Sequence, residues 1–504
     1  MRHLAPVLLF LVLASSVQSQ DVNGYREETG GKTVVRVYGT HHERGYAQGY
    51  LLGDQTKRIF DEYFVDIFCG GSAASYNLCR TLCLNEYAPG GEILAEIDGM
   101  LAGMTDGGVD LYNTVLGRSI DATDLRVLNL VVDLAERLYK RGPGCSSLSS
   151  WGTSTSGDPE LDGHLMITRL LDWDTHPSLT AGAAMVVHFP SEPEEQKWVS
   201  FGFAGLLGTL SGISESGLGG FYHVGNVEGM TPNTPYEPIL YTLRRGLERA
   251  DYDGDGYHTA EDVVAAFSDR SRSSTGIINV VLDDGALSVP RVIEVNGTAG
   301  IAYRQQADNT IVPGEHLVAT NHFRVLYSPI FCSRYQGITN ELIASMAMTP
   351  DRAWSLMGLR AGVNGNLQVV QYLPSLGKVR WATNTDSQPA YQRPPTDIYL
   401  GMVTSAPDEE LPARPKLVGS FPNPFNPRTT LYFDVGRPQS VQLDVYDVGG
   451  RHVRELVDGI FSSGRHQVVW DGTDEDGLQV GTGTYLLLLR SEEGEERAKV
   501  MLLK

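Results

Sequence analysis

A cysteine, an arginine and a carboxylate stand within thirty residues of one another in a pattern that suits nucleophilic chemistry. Cys145 follows Pro143 and Gly144, a turn that bends the backbone and leaves little bulk over the sulfur. Small and apolar residues then run through 146–155 and 164–171, separated by Ser156, Gly157, Asp158 and Pro159, the signature of a turn between two strands. A hairpin of that kind returns its far end, with Arg169 and Asp172, towards Cys145. A neighbouring cation lowers a thiol's pKa and favours the nucleophilic thiolate. A lone cysteine is otherwise most often an inert buried thiol, so the reading depends on those neighbours.

A second constellation is suited to binding. Asp251, Asp253 and Asp255 fall at positions one, three and five of a loop, with Gly256 at six, Tyr257 at seven and Asp262 at twelve. This is the spacing of a calcium loop of the EF-hand or dockerin kind, with helical sequence on both sides. Position twelve carries aspartate where glutamate is usual. Protein groups occupy nearly every ligand position, so the expected Ca2+ is structural, and no cofactor is expected for catalysis. The pair His42 and Glu43 does not make a zinc helix, because Tyr46 stands where a second histidine is needed.

The elements that must position Cys145 change in texture around it. Upstream, 33–38 reads as a strand, and Thr40 with Glu43 forms a capping box opening a helix through Leu51, Ile59 and Phe64. Helical periodicity recurs over 92–104 and 125–139, so 21–140 is expected to be mostly helical. Downstream, β-branched and alternating runs appear at 184–189, 198–203, 217–224, 277–282, 292–295 and 317–320, with helices over 238–249, 260–267 and 340–347. That succession predicts a layered α+β fold. A Pro-rich charged linker spans 404–419, and 420–504 alternates short strands with Gly/Asp turns, as in a small all-β sandwich.

Composition sets the outer bounds. A chain of 504 residues, 41% hydrophobic and 20% charged, can bury more than one core. The net charge of -21 argues against nucleic acid as a partner. Arg2 and His3, an apolar run over 7–14 and the small-residue site at Val17, Gln18 and Ser19 read as a signal peptide over 1–19. Export to the periplasm, cell surface or medium is therefore expected, with no integral membrane segment. Five cysteines cannot all pair, and Cys145 is the candidate free thiol. In an oxidising compartment Cys69, Cys79 and Cys83 favour one disulfide over a metal site, and Cys332 stands apart.

The stretch from Gly144 to Gly152, followed by Thr168-Arg169-Leu170-Leu171-Asp172-Trp173-Asp174, resembles the signature of the peptidase C45 type of N-terminal-nucleophile (Ntn) hydrolases. That group includes acyl-CoA:6-aminopenicillanate acyltransferase and is related to acid ceramidase and the N-acylethanolamine amidases. The resemblance runs over 33–403, through Ala319-Thr320-Asn321-His322-Phe323 and Ser333-Arg334-Tyr335. Ser214 replaces the family's usual asparagine and receives no role. The resemblance implies a four-layer αββα core with a helical pro-segment over 20–144 and a catalytic chain over 145–403, which contains the calcium loop at 251–262. It implies self-cleavage at Gly144–Cys145, after which Cys145 attacks the amide of a small acyl-amide substrate. Asn321 would donate to the oxyanion, Asp172 would orient the new amine, Arg169 would hold Asp172 or a substrate carboxylate, and Arg334 would be the second arginine of the site. The alternatives are a related hydrolase of phospholipase B type, an ordinary Cys-His pair using His223 or His322, or a calcium-dependent surface binding protein with an inactive core. The motifs of 420–504 resemble the FlgD-like immunoglobulin-type module, similar to sorting signals of type IX secretion, which implies secretion machinery as a partner.

Overall fold

The computed structural model describes residues 22–139, 144–283, 290–308, 311–403, 415–421, 423–435, 439–461, 464–491 and 494–503. The expected signal peptide and most of the linker lie outside them. Two sheets form the main body. The larger runs, in spatial order, through Gly24–Thr29, Lys32–Gly39, Ala183–Pro190, Trp198–Phe203, Ser211–Ser214, Gly219–Val224, Gly276–Val281, Arg291–Asn296 and Gly300–Arg304. The smaller runs through His316–Ala319, Gly144–Ser150, Met166–Asp172, Asn366–Leu373, Lys378–Thr383 and Thr396–Tyr399.

Alternation along the strands assigns the faces, because successive side chains point to opposite sides of a sheet. Val34, Met185, Val187 and Phe201 of the larger sheet meet Ile167, Val370 and Trp381 of the smaller one in a shared core. The outer face of the larger sheet, with Val35, Val37, Ile278 and Val280, packs beneath the N-terminal helices. The outer face of the smaller sheet, with Leu170, Val369 and Ala382, packs on helices Ser333–Ala344 and Pro350–Ala361. The order is helices, sheet, sheet, helices, as the resemblance implied. Each fully buried Val, Ile or Phe here contributes about 1.5–3 kcal/mol.

The N-terminal segment differs in part from its expectation of a mostly helical stretch. It opens with two strands, and Lys32–Gly39 joins the larger sheet by pairing parallel with Ala183–Pro190. Gly24–Thr29 carries Arg26, Glu27 and Glu28, charges that suit a sheet edge and hide the strand from a hydrophobic pattern. Helix His41–Arg58 starts at the Thr40–Glu43 capping box, as expected, and passes into the π-helical stretch Ile59–Phe68. Helix Gly91–Asp106 lies against it at close range: a Cβ on Gly45 would stand 1.9 Å from the Glu96 carbonyl oxygen, and one on Gly99 2.1 Å from that of His42. The single helix expected over 125–139 is two, Ala122–Leu128 and Val131–Tyr139. Asn129 sits at the break and hydrogen-bonds Gly205 and Leu207 of the later chain at 2.8 and 2.7 Å. The helix expected over 340–347 begins earlier, at Ser333.

The C-terminal region packs a sheet of Lys416–Phe421, Thr429–Val435 and Gly464–Trp470 on one of His452–Phe461, Gln439–Asp447, Gly483–Ser491 and Gly494–Leu502. Phe433, Leu443, Trp470 and Leu487 fill the space between them. Its first strand uses the last residues of the expected linker. Among the described residues no helix is long and apolar enough to cross a membrane.

A buried ion network ties the helices before Cys145 to the chain after it. His41 bridges Glu96 and Glu195 at 2.9 and 2.8 Å, Arg44 meets Glu195 at 2.7 Å, and Arg244 meets Glu96 and Glu248 at 2.7 and 2.8 Å. Burial opposes the charge on His41, but Glu195 and Glu96 outweigh it and raise its pKa from 6.5 to about 9. Removing one partner strands a buried charge, so Glu96→Ala is expected to cost about 3–5 kcal/mol in urea unfolding. His41 contributes stability that is fully present below pH 6.5 and is lost as the pH rises through about 9. Wild-type unfolding midpoints should fall across that window, and those of His41→Gln should fall less.

Candidate active site

The antiparallel pairing of Gly144–Ser150 with Met166–Asp172 builds the site. Its register sets Gly144 opposite Asp172, Cys145 opposite Leu171 and Ser147 opposite Arg169. The expected hairpin is therefore present, although its first strand stops at Ser150 and a 3-10 turn follows. Cys145, Ser147 and Ser149 point between the sheets, where Ser147 and Ser149 bond Asn279 of the larger sheet at 3.0 and 3.2 Å.

Three side chains converge on Cys145, and a fourth holds Asp172. Arg169 donates to Sγ at 3.3 Å and to the Tyr222 carbonyl at 2.8 Å. Asn321 accepts the Cys145 N–H on Oδ1 at 2.9 Å and donates through Nδ2 to the Val224 carbonyl at 2.9 Å. Arg334 donates to Asn321 Oδ1 at 2.6 Å, to the Cys145 carbonyl at 3.3 Å and to Asp172 Oδ2 at 3.3 Å. Asn366 donates to the other Asp172 oxygen at 2.9 Å. Cys145, Arg169, Asp172, Asn321 and Arg334 thus form one connected group.

The geometry revises two expectations and disfavours one alternative. The sulfur is not open: Cys145 is fully buried. Arg169 makes its bond to the thiol, and Arg334 is the arginine paired with Asp172. Neither His223 nor His322 has a hydrogen bond to Cys145. The His223 ring bonds the Ile277 carbonyl at 2.9 Å, and burial, with Arg169 adding to it, lowers its pKa to about 3. Asn366 and the Tyr222 carbonyl escaped the sequence reading. Asn366 lies at a register break between Asn366 and Gln368, and the neighbouring Asn364 and Gly365 are the only local sign of it.

Burial pushes the Cys145 thiol up, Arg169 pulls it back, Asp172 adds to the rise and Arg334 opposes it, with a net upward shift. Burial likewise raises the Asp172 carboxyl to about 6, against Asn366, Arg334 and Arg169. A side chain at Gly144 would be a tight fit, because a Cβ would stand 3.2 Å from that of Asp172. A cleft of about 460 Å³ opens over Gly144, Asp172, Tyr63, Phe68, Tyr139 and Trp173. Behind Tyr63 and Trp173 lies an apolar hollow of about 60 Å³, lined also by Leu171, Leu128 and Leu210.

The calcium-type loop is separate from this site. Carboxylate oxygens of Asp251, Asp253 and Asp255 lie within 4.8 Å of one another. Gly254 and Gly256 turn the loop at φ of 81° and 88°. Asp262 is buried and accepts from the amides of Thr259 and Tyr252 at 2.6 and 2.5 Å, closing the loop onto the next helix. Tyr257 is exposed, and its N–H donates to Asp255 at 2.8 Å.

The main body, two facing sheets jacketed by helices, has the four-layer αββα architecture that the resemblance implied. It is similar to an N-acylethanolamine-hydrolyzing acid amidase ortholog from Caenorhabditis elegans, at 16% identity over 46% of this chain and 93% of that one, with a TM-score of 0.33. It is also similar to a mutant conjugated bile acid hydrolase from Clostridium perfringens, at 10% identity over 51% and 94% of the two chains and a TM-score of 0.34. A penicillin V acylase from Agrobacterium tumefaciens aligns at 13% identity over 47% and 83%, with a TM-score of 0.31. Residues 428–495 match the family model described as FlgD Ig-like domain. No curated protein matches the chain.

A reaction at Cys145 that needs the Asp172 carboxylate has an acidic limb near pH 6. Its rate should fall as the pH drops through about 6, and Asp172→Asn should flatten that limb while lowering the plateau by roughly 100-fold. A pH–rate profile of both proteins checks it. For stability the sign is opposite: the raised carboxyl costs stability as pH rises from 3.8 through about 6.

Proposed function

We propose that this protein is a self-processing cysteine amidohydrolase or acyltransferase, cleaved at Gly144–Cys145, that acts on linear amides of small acyl compounds. One observation carries the reading. The backbone nitrogen of Cys145 is held by Asn321 at 2.9 Å, in a site that also presents Arg169 to the sulfur and Asp172 opposite Gly144. Such care for a strand nitrogen has a chemical purpose if that nitrogen becomes a free amine.

In the intact chain, Sγ attacks the Gly144 carbonyl carbon. The C–N bond to Cys145 breaks, the thiol proton passes to the departing nitrogen, and Gly144 becomes a thioester on Sγ. Water then releases the Gly144 carboxylate and restores the thiol. The new α-amine titrates near pH ~8 and takes the thiol proton at neutral pH, as a peptide nitrogen does not. Asp172 and Arg334, through Asn321, orient that amine. Sγ then attacks the substrate amide, the amine product leaves with a proton, and water or an acceptor amine resolves the thioester. Asn321 would supply a side-chain amide donor to the oxyanion, worth roughly 3 kcal/mol. Arg169 has Nε and Nη1 buried without a hydrogen-bond partner among the described residues, which supports a further role facing the reacting carbonyl. The apolar hollow behind Tyr63 and Trp173 suits the acyl group.

Wild type should separate under reducing conditions into two chains, the second beginning at Cys145, while Cys145→Ala stays whole; intact mass reads both. A whole wild-type chain would sink the self-processing reading.

We also propose that Asp251, Asp253 and Asp255, with Tyr257 and Asp262 completing the loop, bind Ca2+ as a structural ion, and that the C-terminal sandwich engages secretion machinery during export. A ligand at 100 times its Kd stabilises by about 2.7 kcal/mol. Chelation should therefore lower the wild-type melting temperature by several degrees, calcium should restore it, and Asp253→Ala should respond to neither.

A further inference from the structure

A buried carboxylate stands behind the loop that carries Asn321 and leads to Arg334. Glu294 lies on strand Arg291–Asn296, on the same face as Val292, which packs between the sheets. It is fully buried. A carboxylate in that position needs partners, and the chain after His316–Ala319 supplies most of them. The Arg324 N–H donates to Oε1 at 2.8 Å, and those of Val325 and Leu326 donate to Oε2 at 2.9 Å each. Arg304, on the next strand, faces Oε1 at 3.3 Å and donates to the Val318 carbonyl at 2.7 Å. Glu294 and Arg304 together thus hold the chain on both sides of Asn321.

That hold extends towards Arg334. The Arg324 guanidinium lies 3.7 Å from the centre of the Tyr335 ring, next to Arg334 at the start of helix Ser333–Ala344. Residues 320–332 form neither helix nor strand, so no regular ladder of backbone bonds fixes their place. Three consecutive amides on one carboxylate do that work instead.

We propose that Glu294 is a positioning residue that sets Asn321 against the Cys145 nitrogen. Its value to the reaction rests on the self-processing reading; its hold on Asn321 does not. Asn321 accepts the Cys145 N–H at 2.9 Å, three residues before the first amide that Glu294 binds. A loop shift of about 1 Å breaks such a bond. Glutamine has the right size but the wrong chemistry. An NH2 in the Oε1 place faces the Arg324 N–H and Arg304, and one in the Oε2 place faces two N–H groups. Donors meet donors either way.

The test reads hydrogen exchange at the amide of residue 145 in Cys145→Ala, which lacks the sulfur that the proposed cleavage needs. Adding Glu294→Gln should speed that exchange about tenfold. Val369 and Val370, in strand Asn366–Leu373, should exchange as before. With Asn321→Ala also present the amide has already lost its acceptor, and Glu294→Gln should add nothing. Unchanged exchange at residue 145 overturns the proposal. So does an equal rise at Val369 and Val370, which marks a general loss of stability. A full tenfold effect without Asn321 overturns it too, because Glu294 would then act by another route. Should Glu294→Gln not fold, Glu294→Asp keeps the charge but withdraws it by one methylene, and the same readings apply. No arm requires cleavage at Gly144, so an uncut wild-type chain would count against the proposed processing alone.

Discussion

The antiparallel register between Gly144–Ser150 and Met166–Asp172 is the constraint on which the site depends. It sets Gly144 opposite Asp172 and sends Cys145 and Arg169 into the same space between the sheets. A slip of one residue would turn every side chain of the strand to the other face, moving Cys145 beneath the outer helices. The register is held from both sides, because His316–Ala319 and Asn366–Leu373 flank the pair in the sheet. The same two neighbours bring in the remaining parts: Asn321 and Arg334 follow the first, and Asn366 opens the second.

Arg334 joins those parts electrostatically. It touches Asn321, the Cys145 carbonyl and Asp172, so a single guanidinium connects the backbone of Cys145 to the carboxylate across the sheet. Burial works against charge throughout this region, raising the pKa of both the Cys145 thiol and the Asp172 carboxyl. The two arginines offset that cost in part. The raised thiol pKa favours the protonated sulfur in this arrangement.

The segment before Cys145 is built to remain in place. Its strand Lys32–Gly39 sits within the larger sheet, and its helices are tied to the later chain by buried ion pairs among His41, Glu96, Glu195, Arg44 and Arg244. Asp133 and Glu136, near the end of that segment, accept hydrogen bonds from Ser274 and Thr275 of the later chain. A cut at Gly144 would therefore leave two chains that share one core and one sheet.

Local rules were legible in the sequence where they act over a few residues. The capping box at Thr40, the turn-separated strands around Cys145, the calcium-type spacing at Asp251 and most downstream strands all rest on short-range chemistry, and the structure contains these elements. The resemblance also named Asn321 and Arg334, and the fold brings both beside Cys145. The edge strand Gly24–Thr29 and the helix break at Asn129 were not legible, because charge at a sheet edge and a side chain serving a distant carbonyl leave no periodic trace. Which arginine meets the sulfur, how deeply Cys145 is buried, and the part played by Asn366 depend on strand register and on contacts between residues far apart in the chain. Those were decided only when the two sheets closed on each other, since long-range packing sets distance, burial and charge together.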